Sequence, residues 1–485
     1  MIRVYFDWNV VSNLKRPEFQ ELKDFIVEHK QYLQFPYSPA HFNDLMKSYR
    51  PDNELFFIDL DTLQFLSEKH LLRWGKDGVE VLFGTPKEYF EGEKNKEDVF
   101  ALMDMEKVFN ELDESLSEFG LGKMGTLMKS LYQLQPSRID LNSENQEILK
   151  KMFPSIKSDS TMWDLMKEFG PFSKKLLQDG QYYKDFRKSI GEQGIKLNPI
   201  VAGNWSFDEV IKNIDEFLSE LGTGMTYLEY VESSLKHKKE PINQYEFYTT
   251  AYLMLDMIGY KTDKLPKPTD NMQNIQTDGE HSFYGAHCDY FVAIDKKLRI
   301  KSKVLYNEFN VSTKILEPKE FIEELKKVIY ETPKEVSFLQ EAFSFCKPEN
   351  LVEAIPLSEE NKVETYAFKL PKFYFNFFNY VVYENYSEEE GIIFTFKKAF
   401  KNFASFIYYT EAEGVVESIT DFFGYSDKEE RDLKKKQFVY DSEEITFEWS
   451  FEGGLIRLVK DEETKRPILN YIISTKKNKE KENSD

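Results

Sequence analysis

The stretch TDGEHSFYGAHCDYFVAIDKKLRIKSK, residues 277–303, sets Asp278, Glu280, Asp289 and Asp295, with His281 and His287, around a short apolar run and then turns basic. Its periodicity predicts a helix starting at Asp278, a strand over Tyr290–Asp295 and a helix over Leu298–Phe309, with another strand at Val311–Leu316. Helix alternating with apolar strand is the pattern of a doubly wound parallel sheet.

The amino terminus offers a matching piece. MIRVYFD is an almost continuous apolar run closed by an acid, as expected of a strand buried on both faces. A second strand is expected around YLQFPYS. Ser38 followed by Pro39 reads as an N-cap with proline at the first helical position, so PAHFNDLMKS should be helical.

From Pro51 to Pro241 the texture is that of acidic amphipathic helices, such as SFDEVIKNIDEFLSELG. YEFYTTAYLMLDMIGY then reads as a buried helix, and Lys264–Gln276 as a loop. Beyond Lys319 the chain alternates aromatic and polar residues, as in PKFYFNFFNYVVY and EITFEWSF, which predicts an antiparallel sheet. That tract could stack nucleic-acid bases, although a packed sheet core fits the alternation better. The expected class is therefore α/β. One core is built from residues 1–48 and 242–318 and split by a helical acidic insertion over 49–241. A C-terminal aromatic-rich α+β domain over 319–475 follows, then a charged, disordered tail over 476–485.

Bulk composition narrows the function. Of 485 residues 41% are hydrophobic, enough for globular cores, yet no apolar run nears the ~20 residues of a membrane span, so no membrane partner is expected. Two cysteines, Cys288 and Cys346, make neither a disulfide framework nor a zinc set, and no leader peptide is evident, which together fit the cytoplasm. A net charge of −21 argues against coating nucleic acid by bulk charge. Residues 1–48, however, carry 6 basic and 6 acidic groups, and residues 242–318 carry 9 and 10. The surplus acid lies elsewhere.

Asp7 and Asp295 each close an apolar strand, and in open α/β sheets ligands bind beyond the carboxyl ends of the strands. Asp278 at the start of a helix and Asp44 on the helix after the second strand would join them there. Four converging carboxylates repel one another unless a cation intervenes, and oxygen ligands favour Mg²⁺ or Mn²⁺. His41 and His281 stand three residues from Asp44 and Asp278, on the same helical faces, and are candidates to support the site without ligating the metal. His287 and Cys288 lack partners at zinc spacing.

This set resembles the PIN-domain nuclease superfamily. Asp7-Trp8-Asn9 is similar to that family's opening motif, SPAHFNDL to its second element, and DGEHSFYGAHCDYFVAID to its closing one. Asp44 stands where the family usually has Glu, and Ala293 where it commonly has Thr. The resemblance implies metal-dependent phosphodiester hydrolysis, with one or two Mg²⁺ or Mn²⁺ ions held by Asp7, Asp44, Asp278 and Asp295. Asn9 would steer substrate or hold Asp7. Lys296, Lys297, Arg299, Lys301 and Lys303 would meet phosphates, and RNA is favoured over DNA as partner. The added domains fit a regulated toxin or phage-defence effector, controlled by another protein or by self-association. Two competitors stand beside it. A haloacid-dehalogenase-type phosphatase needs a second acid two residues after Asp7, where Asn9 stands. A catalytically inactive scaffold of the same fold would keep the acids without binding metal.

Overall fold

A computed structural model of the chain describes residues 1–76, 78–94, 104–116, 123–137, 150, 152–157, 159–192, 196–236, 241–261, 271–329, 331–357, 363–386, 391–398, 402–404, 407, 409–440, 445–462 and 464–474. The expected tail over 476–485 and most of the expected loop at 264–276 lie outside them.

Strand β1 (Ile2–Phe6) is buried at every position, as its apolar run, interrupted only by Arg3, leads one to expect. It is central in a four-stranded parallel sheet of order β2-β1-β5-β6, with β2 at Leu33–Gln34, β5 at Tyr290–Val292 and β6 at Lys314–Leu316. The last three are shorter than the apolar runs that predicted them. Val4 pairs with Tyr290 and Phe6 with Val292, and Asp7 N–H donates to the Val292 carbonyl at 2.9 Å. Asp7 therefore leaves the sheet level with Ala293, at the carboxyl edge.

The two faces of the sheet carry separate cores. Ile2, Val4, Phe6, Tyr290 and Val292 pack with Val10 of α1 (Trp8–Asn13), Phe42 of α2 (Pro39–Leu45) and Leu60 of the helix Glu54–Ser67. Tyr5 and Phe291 pack on the other side with α4 (Gln244–Met257), α5 (Met272–Gly285) and α6 (Lys296–Glu308). The helix Gly180–Glu192, which supplies a residue to the site, is α3. Close approach of α5 to the sheet depends on Gly285, where an added Cβ would stand 2.8 Å from the Phe291 ring.

Several sequence expectations change. The helix before β5 begins at Met272, not Asp278, because Asn271 caps it by accepting from Asn274 N–H at 3.0 Å. Asp278 is thus an interior helical residue. The insertion is not purely helical, since β3 (His70–Trp74) and β4 (Val79–Phe83) form an antiparallel hairpin. Nor do 49–241 stand apart as a block. Phe56, Leu63, Leu71 and Phe90 belong to one sheet core, and Val210, Ile214, Leu218 and Tyr227 to the other. Phe153, Ile156 and Phe172 form a small core of their own. The boundary at 319 also moves, because Phe321, Ile322 and Leu325 of α7 (Pro318–Val328) pack beneath β1.

The C-terminal part is a separate seven-stranded antiparallel sheet, order β11-β12-β13-β10-β9-β8-β7. Its strands are β7 (Leu351–Ile355), β8 (Glu364–Tyr374), β9 (Phe378–Tyr386), β10 (Gly391–Lys397), β11 (Phe447–Phe451), β12 (Gly454–Lys460) and β13 (Pro467–Ser474). Phe378, Phe396, Phe447 and Tyr471 fill its core with Val415 and Ile419 of α8 (Tyr409–Phe423), so much of the aromatic tract is packing. A buried ion pair ties this part to the parallel sheet. Arg3 Nη2 donates to Glu411 Oε2 at 2.6 Å, both side chains fully buried, and Lys398 Nζ stands 3.9 Å from Glu411 Oε1.

Candidate metal centre

Asp7 closes β1 and precedes the first turn of α1, and it is 1% exposed. Its Oδ2 is buried without a hydrogen-bond partner. Burial pushes its carboxyl up to about 6. His281 works in the opposite direction, the charge of Asp44 adds to the rise, a hydrogen bond from Asn9 favours the ionised form, and Asp295 adds further repulsion.

Asp278 is half-buried in the middle of α5. Its carboxyl is pushed well above the usual carboxylate range by burial, eased by Lys301 and reinforced by repulsion from Asp7, Asp44 and Asp295. The fold therefore brings Asp7, Asp44 and Asp295 within electrostatic reach of Asp278.

They are not equally available. Asp44 Oδ2 lies 3.2 Å from His281 Nε2, and Lys47 Nζ donates to Asp44 Oδ1 at 2.6 Å. Burial opposes its charge, but His281 and Lys47 hold its carboxyl below the ordinary value. Asp295 caps α6, its Oδ1 accepting from Lys297 N–H at 2.7 Å and Leu298 N–H at 2.9 Å. Asp295 is thus a helix N-cap, whereas the cap of α5 is Asn271. Among the described residues no three His, Cys, Asp or Glu side chains already surround a single point as metal ligands. Uncommitted carboxylate oxygen remains on Asp7, on Asp278 and, through Oδ2, on the exposed Asp295, and a cation's charge is what the Asp7 Oδ2 orphan lacks. The donor set fits one hard ion better than two.

The histidines lie beneath the acids. His41 is neutral, its pKa pulled down to about 3 by burial, with the charge of His281 adding to the effect. Its Nε2–H donates to the Phe6 carbonyl at 2.9 Å and its Nδ1 accepts from Ser38 N–H at 3.1 Å, which fixes the tautomer. His281 differs. Burial disfavours its charge, yet the bond to Asp44 and the charges of Asp7, Asp44 and Asp278 raise its pKa above the ordinary value. As imidazolium it donates from Nε2 to Asp44 and from Nδ1 to Tyr5 Oη at 2.9 Å, leaving the tyrosine hydroxyl to donate to Ser38 Oγ at 2.6 Å. His287, buried and bonded to the Phe283 carbonyl through Nδ1, plays no part in this group.

The basic run divides around α6 instead of forming one patch. Arg299 pairs with Glu317, Lys296 and Lys303 are exposed, and Lys301 is buried. Helical periodicity turns Lys297 and Lys301, four residues apart, toward the same side. Lys301 Nζ lies 3.6 Å from Asp256 Oδ1 and 4.6 Å from the Tyr252 ring centre. Arg187 of α3 reaches the same Asp256 at 2.9 Å, and Lys297 feels Lys301, Asp256 and Arg187. Three cations thus surround one carboxylate beside Asp278.

Sequence reasoning missed Arg187 and Asp256, which sit 69 residues apart and carry no local signal. It also left Glu280 without a role, although this buried carboxylate accepts from Asn43 at 2.7 Å next to His281. No family model, no curated protein and no solved structure matches the chain.

Proposed function

We propose that the chain is a PIN-like, metal-dependent nuclease, acting on RNA in preference to DNA. The observation that carries the reading is the Asp7 carboxylate. It is buried at the carboxyl edge of the sheet with Oδ2 unpartnered and shares its field with Asp278, Asp44 and Asp295. A buried carboxylate with one oxygen left unpartnered is costly unless a ligand completes it.

Asp7 and Asp278 would hold the ion, with Asp44 and Asp295 adding negative field. A bound Mg²⁺ or Mn²⁺ supplies the charge that acidifies a water and offsets the departing oxygen of a phosphodiester. Asn9 steadies Asp7 in its ionised form. His281, protonated, keeps Asp44 in place while the Tyr5–Ser38 pair fixes the imidazole from below. Lys297, Lys301 and Arg187 offer positive charge to a phosphate entering beside Asp278. No helix among the described residues is long and apolar enough to cross a membrane.

Mn²⁺ binding by the purified protein tests the metal. Wild type should bind with an affinity lost in both Asp7→Asn and Asp278→Asn. A second reading, the inactive scaffold, is favoured by one observation, that both Asp44 oxygens and Asp295 Oδ1 are already hydrogen-bonded. Absence of Mn²⁺ binding by folded wild type would put the scaffold first. The regulated toxin or defence role rests on the added domains. It predicts growth arrest on overexpression that Asp7→Asn abolishes, and harmless overexpression of an active enzyme would contradict it.

A further inference from the structure

Buried tyrosines in the core around α4, α5 and α6 have partners for their hydroxyls. Tyr5 meets Ser38 Oγ at 2.6 Å, Tyr248 meets Ser282 Oγ at 2.6 Å, and Tyr306 donates to the Ser282 carbonyl at 2.6 Å. Tyr227 donates to the Ala251 carbonyl. Tyr252 of α4 differs: it is fully buried, yet its Oη has no hydrogen-bond partner among the described residues. A buried hydroxyl left in that state calls for a reason.

Its surroundings supply one. The Tyr252 ring lies against α5 at Gly279, the residue after Asp278, where an added Cβ would stand 3.1 Å from Cδ1. Lys301 Nζ holds the ring from another side, 4.6 Å from its centre. Burial, followed by the charges of Asp278 and Asp295, pushes the tyrosine pKa well above its ordinary value, so the hydroxyl stays a neutral donor. The nearby cations are already engaged, because Asp256 takes Arg187 at 2.9 Å and Lys301 at 3.6 Å.

We propose that Tyr252 is a positioning residue of the metal site, its hydroxyl donating to the Asp278 carboxylate when that acid holds a hard cation. The inference rests on the metal-dependent reading above. A carboxylate that ligates through one oxygen is steered by a donor on the other, and such outer partners set metal affinity. Asp295 is the poorer acceptor for this purpose, since its Oδ1 already caps α6.

Calorimetric titration of the full-length protein with Mn²⁺, together with thermal melting in EDTA, compares wild type with Tyr252→Phe, which keeps the ring and removes the hydroxyl. The variant should bind Mn²⁺ at least about tenfold more weakly. In EDTA it should melt no lower than wild type, because the lost hydroxyl has no partner there. Tyr248→Phe, which gives up the bond to Ser282, should show the reverse, melting lower in EDTA with Mn²⁺ affinity within about twofold of wild type. Equal Mn²⁺ affinity of wild type and Tyr252→Phe would overturn the proposal and leave the nuclease reading standing. A Tyr252→Phe protein that melts more than about 2 °C lower in EDTA would make the hydroxyl a packing bond and overturn it too. Wild type that binds no Mn²⁺ would remove the nuclease reading and this inference together.

Discussion

His281 Nε2 lies 3.2 Å from Asp44 Oδ2 and 4.0 Å from Asp7 Oδ1, so a single imidazolium links two carboxylates contributed by different elements. His281 is fully buried, and removing one partner of a buried ion pair leaves the other uncompensated. His281→Ala should destabilise the protein by about 3 kcal/mol. His281→Gln, which keeps a donor, should cost less. Urea unfolding measures both, and equal stability of the alanine variant and wild type would refute the link.

A residue kept for metal binding should weaken the metal-free fold. Burial and neighbouring acids raise the Asp7 carboxyl to about 6, so its charge at neutral pH is unfavourable. In EDTA, Asp7→Asn should be more stable than wild type by about 1–3 kcal/mol, one pKa unit corresponding to about 1.4 kcal/mol. Excess Mn²⁺ should narrow or reverse that gap by stabilising wild type alone. A destabilised Asn variant in EDTA would mean that Asp7 is a structural acid.

The buried pair between Arg3 and Glu411 sets the acid limit of the fold. Burial opposes the Glu411 charge, but Arg3, Lys398 and the chain's amino terminus hold its carboxyl at about 2 instead of the ordinary 4.5. A depressed carboxyl contributes stability above its unfolded value and loses it as pH falls through the folded one. Wild type should therefore lose on the order of 3 kcal/mol between pH ~4.5 and ~2 through this group. Glu411→Gln should be less stable at neutral pH and show a shallower acid dependence. Parallel acid profiles in wild type and variant would contradict the assignment.

Burial separates the lysines of α6. Lys301 lowers the Asp278 carboxyl, whereas Lys303 is exposed. Lys301→Met should push Asp278 further toward its protonated form and weaken Mn²⁺ binding about tenfold at neutral pH. Lys303→Met should change it little. Equal effects at the two positions would restore the picture of one basic face.

Much of this was legible in the sequence. The apolar run before Asp7, interrupted only by Arg3, gave the central strand, and Ser38-Pro39 gave the start of α2, because both signals are local. The hairpin β3–β4 was also readable, since Asp77-Gly78 between HLLRW and VEVLF is a strong turn signal that the surrounding helical texture obscured. The start of α5 was misplaced because Asp278 is as good a cap as Asn271, and only packing decides between them. Arg3 could not be read at all. Its partner Glu411 lies 408 residues away, and a lone cation in an apolar strand says nothing of what neutralises it.

The most direct test of the central claim is cleavage of labelled single-stranded RNA, structured RNA and single-stranded DNA with Mn²⁺, Mg²⁺ or EDTA, comparing wild type with Asp7→Asn and Asp278→Asn. The account predicts metal-dependent cleavage, strongest on RNA, that vanishes in both variants. Cleavage that persists in EDTA or in either variant would contradict it.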